Sequence, residues 1–187
     1  MLKKILIRFS TYTTILTIVF TFNACQKPPE FSNIPSISLL NITKIYKETD
    51  ERKGDFVTLN INFKDGDGDL GINDSESLLP PYTVDSIQTE YFYNLLVTMY
   101  YKSNNQWKIV NFGSNNGLSG QFTRLQESDL KSPIKGTISY DFVIDNQAQN
   151  TLGFKKNDSI KFDIEIRDRA LNKSNIITTN PLILTLK

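Results

Sequence analysis

The chain has 187 residues, of which 39% are hydrophobic and 22% are charged, so it can form one domain with a substantial core and is too short for two comfortable ones. Its 21 basic and 20 acidic side chains give a formal charge of +1, which argues against nucleic-acid binding, because proteins that follow phosphates carry a clear excess of Lys and Arg. The sequence contains no histidine, which excludes Ser-His-Asp and Cys-His nucleophiles and most catalytic zinc sites.

The N-terminus has the pattern of an export signal. Lys3, Lys4 and Arg8 form a positive start, and residues 9–26 are uncharged and contain a short apolar run. This run is too short to cross a membrane comfortably. The only cysteine, Cys25, stands at the end of this signal, directly after the small residue Ala24, and a lone free thiol would be unusual in an exported protein.

The end of this signal, Phe-Asn-Ala-Cys, resembles a bacterial lipobox, in which the cysteine is acylated and begins the mature protein. The resemblance implies a signal peptide over residues 1–24 and a lipid anchor on Cys25; the alternative is an uncleaved anchor with an incidental cysteine. Residues 25–35 are rich in Pro and polar side chains, which predicts an extended tether. The Gln-Lys pair after Cys25 resembles the surface-export signal of Bacteroidota lipoproteins. We therefore expect an outer membrane lipoprotein, on the surface or on the periplasmic face.

From Ser36 onward the hydrophobic pattern has the period of β-strands. Apolar and polar residues alternate over 57–64 and again over 160–167, so each strand has one buried and one wet face. The pattern predicts seven or eight strands, near 36–46, 55–64, 91–102, 106–112, 119–125, 134–145, 158–167 and 175–186. We expect residues 36–187 to form an all-β domain, an antiparallel immunoglobulin-like β-sandwich, with a barrel as the alternative.

An acidic loop, DGDGDLGINDSE, follows the second predicted strand. Carboxylates at alternate positions with glycines between them can converge on one point, and converging oxygen ligands suit Ca²⁺. In the register of an EF-hand loop the ligands are Asp65, Asp67, Asp69, Gly71, Asn73 and Glu76. Leu70 stands where that loop has glycine, and the flanking residues do not read as helices. We therefore expect a calcium-binding loop on a β scaffold, with a solvated Asp-Gly turn as the alternative.

A second carboxylate extends this prediction. Asp65 continues the buried phase of its strand and Asp168 continues that of the strand over 158–167. If these two strands run in the same direction, as the second and sixth strands of an immunoglobulin-like sandwich do, their following loops meet at one end. Asp168 and Asn172 would then complete the calcium site. The alternative is that Asp168 only caps its own turn.

Two segments taken together, FKDGDGDLG and IEIRDRALNKSN, resemble the paired signatures of immunoglobulin-like domains in Bacteroidota lipoproteins. The resemblance implies the fold and an envelope location more than it implies an activity.

Two function classes remain open. In the first, a non-catalytic, lipid-anchored and calcium-stabilised sandwich binds a polysaccharide or an envelope protein, with Phe92, Tyr100 and Trp107 as an aromatic platform. The simpler role of such aromatic residues is core and cross-strand packing. In the second, paired carboxylates make the chain a glycoside hydrolase or another carbohydrate-active enzyme. We favour the binding protein, because the acids either cluster in one turn or alternate on wet strand faces.

Overall fold

The structure is a computed structural model that describes residues 29–83, 91–112, 117–128 and 130–185. The predicted signal peptide over residues 1–24 and the predicted acylation at Cys25 lie outside these residues. Residues Phe31–Lys187 form one compact unit, which is the unit described below. Within the described ranges, no helix has the length and apolar character needed to span a membrane.

The described residues contain eight strands and two short helices. The helices are α1 (Asp74–Ser77) and α2 (Asn146–Leu152). The strands are β1 (Ser36–Glu48), β2 (Lys53–Asp65), β3 (Leu95–Ser103), β4 (Gln106–Ile109), β5 (Ile134–Asp145), β6 (Ser159–Ile166), β7 (Ile177–Thr178) and β8 (Leu182–Ile183).

The strands form two antiparallel sheets. One has the order β1-β2-β5, and the other has the order β4-β3-β6-β7, with β8 also pairing with β6. The all-β, two-sheet architecture that the sequence predicts is confirmed, and the immunoglobulin-like connectivity stays a prediction. The register places the end of β2 beside the starts of β1 and β5 and the end of β6 beside the start of β3, and a bridge between Leu70 and Asp168 brings both ends together. We call this end of the domain the Asp65 pole, and the opposite end the Asp55 pole.

The core lies between the inner faces of the two sheets. In β2 and β6 every second side chain is buried, as period-two patterning requires. The buried set from both sheets forms one cluster that includes Val57, Leu59, Ile61, Ile160, Phe162, Ile164 and Ile166. Both strands bury one face in this cluster. The next residue in the same alternation, just after the end of the buried run, therefore lies at the rim of the core.

Two predicted strands are not formed as single strands, and two others are shorter, since β3 begins at Leu95 and not near 91 and β4 ends at Ile109 and not near 112. Residues 119–125 do not form a strand, and only Gly120 bridges to Leu95. The side chain of Asn94 takes the place of a strand partner there, since it donates to the Phe122 carbonyl oxygen and accepts from the Phe122 N–H. The predicted last strand, 175–186, is divided into β7 and β8, because Pro181 between them has no N–H to donate.

A buried ion pair closes the Asp55 pole. Asp55 is fully buried, and one of its oxygens lies 2.7 Å from Lys44 Nζ. The other oxygen accepts from the Thr185 N–H at 2.7 Å, and Lys44 also donates to the Thr185 hydroxyl. Removing either charge would leave the other buried without its partner, which is costly. The pair therefore fixes the C-terminal segment to β1 and β2.

Candidate metal centre

The first arm of the site is the loop that leaves β2. Asp65 continues the inward alternation of its strand and is 0% exposed. One of its oxygens accepts from the Asp69 N–H at 3.0 Å, so the loop folds back over the strand end. Gly68 has a φ of +72°, and a Cβ there would lie 2.6 Å from the Ser132 carbonyl oxygen. Glycine is required at this position for both reasons.

The second arm is the loop that leaves β6. Asp168 is 3% exposed, and both of its oxygens accept hydrogen bonds from Asn172, at 2.7 Å from the backbone N–H and 2.8 Å from Nδ2. Backbone groups of the loop after β6 contact the loop after β2. Leu70 and Asp168 form an antiparallel bridge, and the Ala170 N–H donates to an Asp69 carboxylate oxygen at 3.1 Å.

This geometry brings three carboxylates together. Asp65, Asp69 and Asp168 each place an oxygen within 4.8 Å of the others, and we call these three residues the carboxylate cluster. Asp67 lies beside it, with one oxygen 3.4 Å from Lys131 Nζ. Oδ1 of Asp65, Asp67 and Asp69 is buried and has no hydrogen-bond donor among the described residues. Buried carboxylate oxygens normally have a donor or a cation, so the cluster has the composition of a cation site.

The electrostatics of the cluster point the same way. Burial, and then the charges of Asp69 and Asp67, raise the pKa of Asp65 to about 6. Burial, and then the charges of Asp168 and Asp67, raise the pKa of Asp69 to about 6. Burial also raises the pKa of Asp168, although the hydrogen bonds from Asn172 oppose this. Like charges held this close destabilise one another, and a divalent cation would offset much of the repulsion.

The donor set defines what the cluster can bind. It consists of carboxylate oxygens without sulfur or nitrogen, which suits hard cations such as Ca²⁺, Mg²⁺ or Mn²⁺. Asp65, Asp69 and Asp168 are able to hold a metal ion, and Asp67 can add a fourth carboxylate because its Oδ1 is buried without a donor. Asn172 orients Asp168 through two hydrogen bonds, so its amide supports a ligand.

Three residues of the EF-hand register have other partners, and the register is not the arrangement in the structure. The Gly71 carbonyl oxygen accepts from Arg169 Nη1. Asn73 is the N-cap of α1, where it accepts from the Glu76 N–H. Glu76 forms a bidentate pair with Arg124, which lowers the pKa of Glu76 to about 2.

The reason for this difference is Leu70. It occupies the position at which an EF-hand loop turns on glycine, and here its side chain is fully buried in the core. The chain therefore continues to a bridge with Asp168 in the loop after β6. Arg124 is the partner that sequence reasoning missed, since it lies 48 residues from Glu76 in a segment with no local signal for the contact.

The aromatic platform is only partly assembled. Tyr100 on β3 and Trp107 on β4 lie on the outer face of the second sheet, and Lys161 Nζ lies 5.2 Å from the Tyr100 ring centroid and 5.1 Å from that of Trp107. A groove of about 300 Å³ next to Tyr100 is lined by residues that include Asp163. Phe92 packs edge-on against Tyr93, in the segment that precedes β3.

Comparison with known proteins adds no further assignment to this geometry. No protein family, no curated protein and no solved structure matches the chain.

Proposed function

We propose that this chain is a non-catalytic, lipid-anchored envelope protein whose sandwich is stabilised by Ca²⁺ at the Asp65 pole and binds a polysaccharide or a partner protein. The anchor rests on the sequence alone, through the export signal that ends at Cys25. In an outer membrane lipoprotein that cysteine would carry the acyl chains, and residues 25–35 would connect it to the domain.

The observation that carries the cation site is the set of buried oxygens without donors. Asp65 is fully buried, and its Oδ1 has no hydrogen-bond donor among the described residues. A solvated Asp-Gly turn would leave its carboxylates in water, where they need no partner. The burial of the cluster therefore favours a bound cation over a simple turn.

Calcium is the cation that this donor set favours. Ca²⁺ accepts six to eight oxygen ligands in irregular geometry, including carboxylates bound through one or both oxygens, whereas Mg²⁺ requires a near-ideal octahedron and keeps several waters. Four aspartates on two loops, with further positions for water or carbonyl oxygens, fit the first description. The ion would hold the β2 and β6 loops together and so stabilise both sheets at once.

A binding role is supported by the outer face of the second sheet. Tyr100 and Trp107 present aromatic faces, and Lys161 Nζ lies over both rings. The groove beside them is lined by Asp163 and Glu165. Aromatic faces stack on sugar rings, and flanking carboxylates accept hydrogen bonds from hydroxyl groups. Asp65 and Asp168, by contrast, are almost fully buried, whereas glycoside hydrolysis needs two acids that flank an open cleft.

Calorimetry tests the cation site. The soluble chain starting at Gln26 is titrated with CaCl₂ and with MgCl₂, and we expect one calcium per chain and weaker binding of magnesium. Asp168→Asn should abolish binding, while Glu76→Gln should retain it because Glu76 is paired with Arg124. Loss of binding in Glu76→Gln together with retention in Asp168→Asn would contradict the proposed ligand set.

A glycan panel tests the binding role. The same soluble chain is incubated with envelope and plant polysaccharides, and both retention and released reducing sugar are measured. Retention without released sugar supports a binding protein. Released sugar that disappears in an Asp163→Asn or Glu165→Gln variant would replace the proposal with a carbohydrate-active enzyme.

A further inference from the structure

Three strongly exposed leucines lie at the Asp65 pole. Among the described residues, the two most exposed large apolar side chains are Leu130 at 78% and Leu78 at 76%, and Leu79 is 60% exposed. All three lie in loops at this pole. Isolated exposed apolar residues are ordinary, but several projecting from one end of a domain mark an interaction surface.

Both loops that carry these leucines contact residues that neighbour the carboxylate cluster in sequence. Leu78 and Leu79 directly follow α1, whose Glu76 pairs with Arg124. The same segment is held by Tyr82, whose hydroxyl donates to the carbonyl oxygen of Arg169 at 2.7 Å. The leucines are therefore presented by an ordered frame that includes the residue after Asp168.

The loop of Leu130 is held in the same way. Lys131 Nζ lies 3.4 Å from an Asp67 oxygen, and the Leu130 carbonyl oxygen accepts from Gln126 Nε2 at 2.6 Å. Gly68, in the acidic loop, lies against the Ser132 carbonyl oxygen. The position of Leu130 thus depends on the acidic loop.

The N-terminal segment enters the domain at this same pole. The Gly66 N–H donates to the Ser32 carbonyl oxygen at 2.8 Å, and a Cβ on Gly66 would lie 2.5 Å from the Phe31 carbonyl oxygen. Six residue steps separate Cys25 from Phe31, which is about 20 Å of fully extended chain. A lipid on Cys25 would therefore keep the Asp65 pole within about 20 Å of the membrane interface.

We propose that the Asp65 pole rests on the phospholipid bilayer that holds the anchor, with Leu78, Leu79 and Leu130 inserted at the headgroup level and calcium reducing the negative charge of the carboxylates beneath them. The inference rests on the proposed lipid anchor and calcium site. Shallow insertion of apolar side chains contributes to membrane binding in proportion to the buried apolar area. Without calcium, the negative charge of the cluster would be repelled by anionic headgroups, so docking depends on the ion.

The test uses the mature chain with Cys25→Ser, which removes the anchor and leaves only the pole to bind. Its sedimentation with vesicles of phosphatidylethanolamine and phosphatidylglycerol is measured in CaCl₂ and in a chelator. We expect partition in calcium and a loss of it in the chelator. L78S/L79S/L130S should lower the partition coefficient about tenfold or more. A control I45S/I109S variant, with exposed isoleucines on β1 and β4, should leave it unchanged.

The outcomes separate this inference from the proposed function. Calcium binding by calorimetry without vesicle partition of the wild-type chain overturns the docking surface and leaves the calcium site in place. Equal partition of the wild type and L78S/L79S/L130S also overturns it. If the wild type binds no calcium, the proposed calcium site fails, and calcium-independent partition would overturn the ion's role in docking. Capture of an envelope protein through the three leucines, without vesicle binding, would assign the pole to a protein partner and overturn the lipid assignment.

Discussion

Replacing Asp65 with Asn should stabilise the calcium-free protein and abolish its response to calcium. The pKa of the fully buried Asp65 is raised from 3.8 to about 6 by burial and by its neighbours. Keeping this carboxylate ionised at about pH 7.5 costs the folded state roughly 3 kcal/mol relative to the unfolded chain. Asn keeps an acceptor for the Asp69 N–H and places a donor among the remaining carboxylates.

Calcium should cancel this advantage of the Asn variant in a concentration-dependent way. A ligand that binds only the folded state stabilises it by about 2.7 kcal/mol at a hundred times its Kd and about 4.1 kcal/mol at a thousand times. The wild-type protein should therefore approach the stability of Asp65→Asn near hundredfold saturation and exceed it near a thousandfold. Since 1 kcal/mol shifts the Tm by about 2–4 °C in a domain of this size, the wild-type melt should rise by about 5–10 °C at hundredfold saturation.

Thermal unfolding followed by circular dichroism, in a chelator and across a calcium series, measures both effects. Asp163→Asn is the matched control, because Asp163 lies on an outer strand face and accepts from the Thr178 hydroxyl, a bond that Asn can also accept. This variant should follow the wild type throughout. The reasoning is refuted if Asp65→Asn melts below the wild type in the chelator, or if its melt rises with calcium as much as that of the wild type.

Three other predictions concern the acidic loop, the anchor and the aromatic platform. The calcium-free protein should lose stability as the pH rises from about 4 to above 6. The reason is that the pKa of Asp65 is about 6 in the folded state and 3.8 in the unfolded chain, so folding takes up protons in that window. Urea unfolding at each pH measures the free energy of unfolding, and a free energy that rises with pH would contradict the prediction. Cys25→Ala should abolish fatty-acid labelling and leave an unprocessed precursor, whereas equal labelling would exclude the anchor. Trp107→Ala should weaken retention on any glycan the protein binds by about threefold to tenfold, and unchanged retention on an affinity gel would place the ligand elsewhere.

The parts of the fold that the sequence predicts well are those where one strand face is buried. β2 and β6 were predicted within two residues of their observed bounds, because their alternating side chains reach the core with almost no exposure. The same phase argument brings Asp65 and Asp168 to one pole. The side chain of Asn94 substitutes for a backbone partner of residues 119–125. No local sequence pattern predicts such a contact.

In the candidate site, too, the sequence predicts the features that depend on local spacing and misses those that depend on distant contacts. The convergence of the aspartates follows from local spacing and strand phase, both of which are visible in the sequence. The roles of Asn73 and Glu76 depend on Leu70 entering the core and on Arg124 arriving from a distant segment. These side-chain partners are determined by tertiary packing, and an alignment to a known loop does not predict them.

The buried pair of Lys44 and Asp55 has a consequence for how the domain presents its ends. It secures Thr185 at the pole opposite the entry of the N-terminal segment, and the 13 residues of β2 set these poles roughly 40 Å apart at about 3.3 Å per residue. With the proposed lipid on Cys25, the two sheets would act as a spacer, and Thr185 would lie roughly 40 Å beyond the pole nearest the membrane.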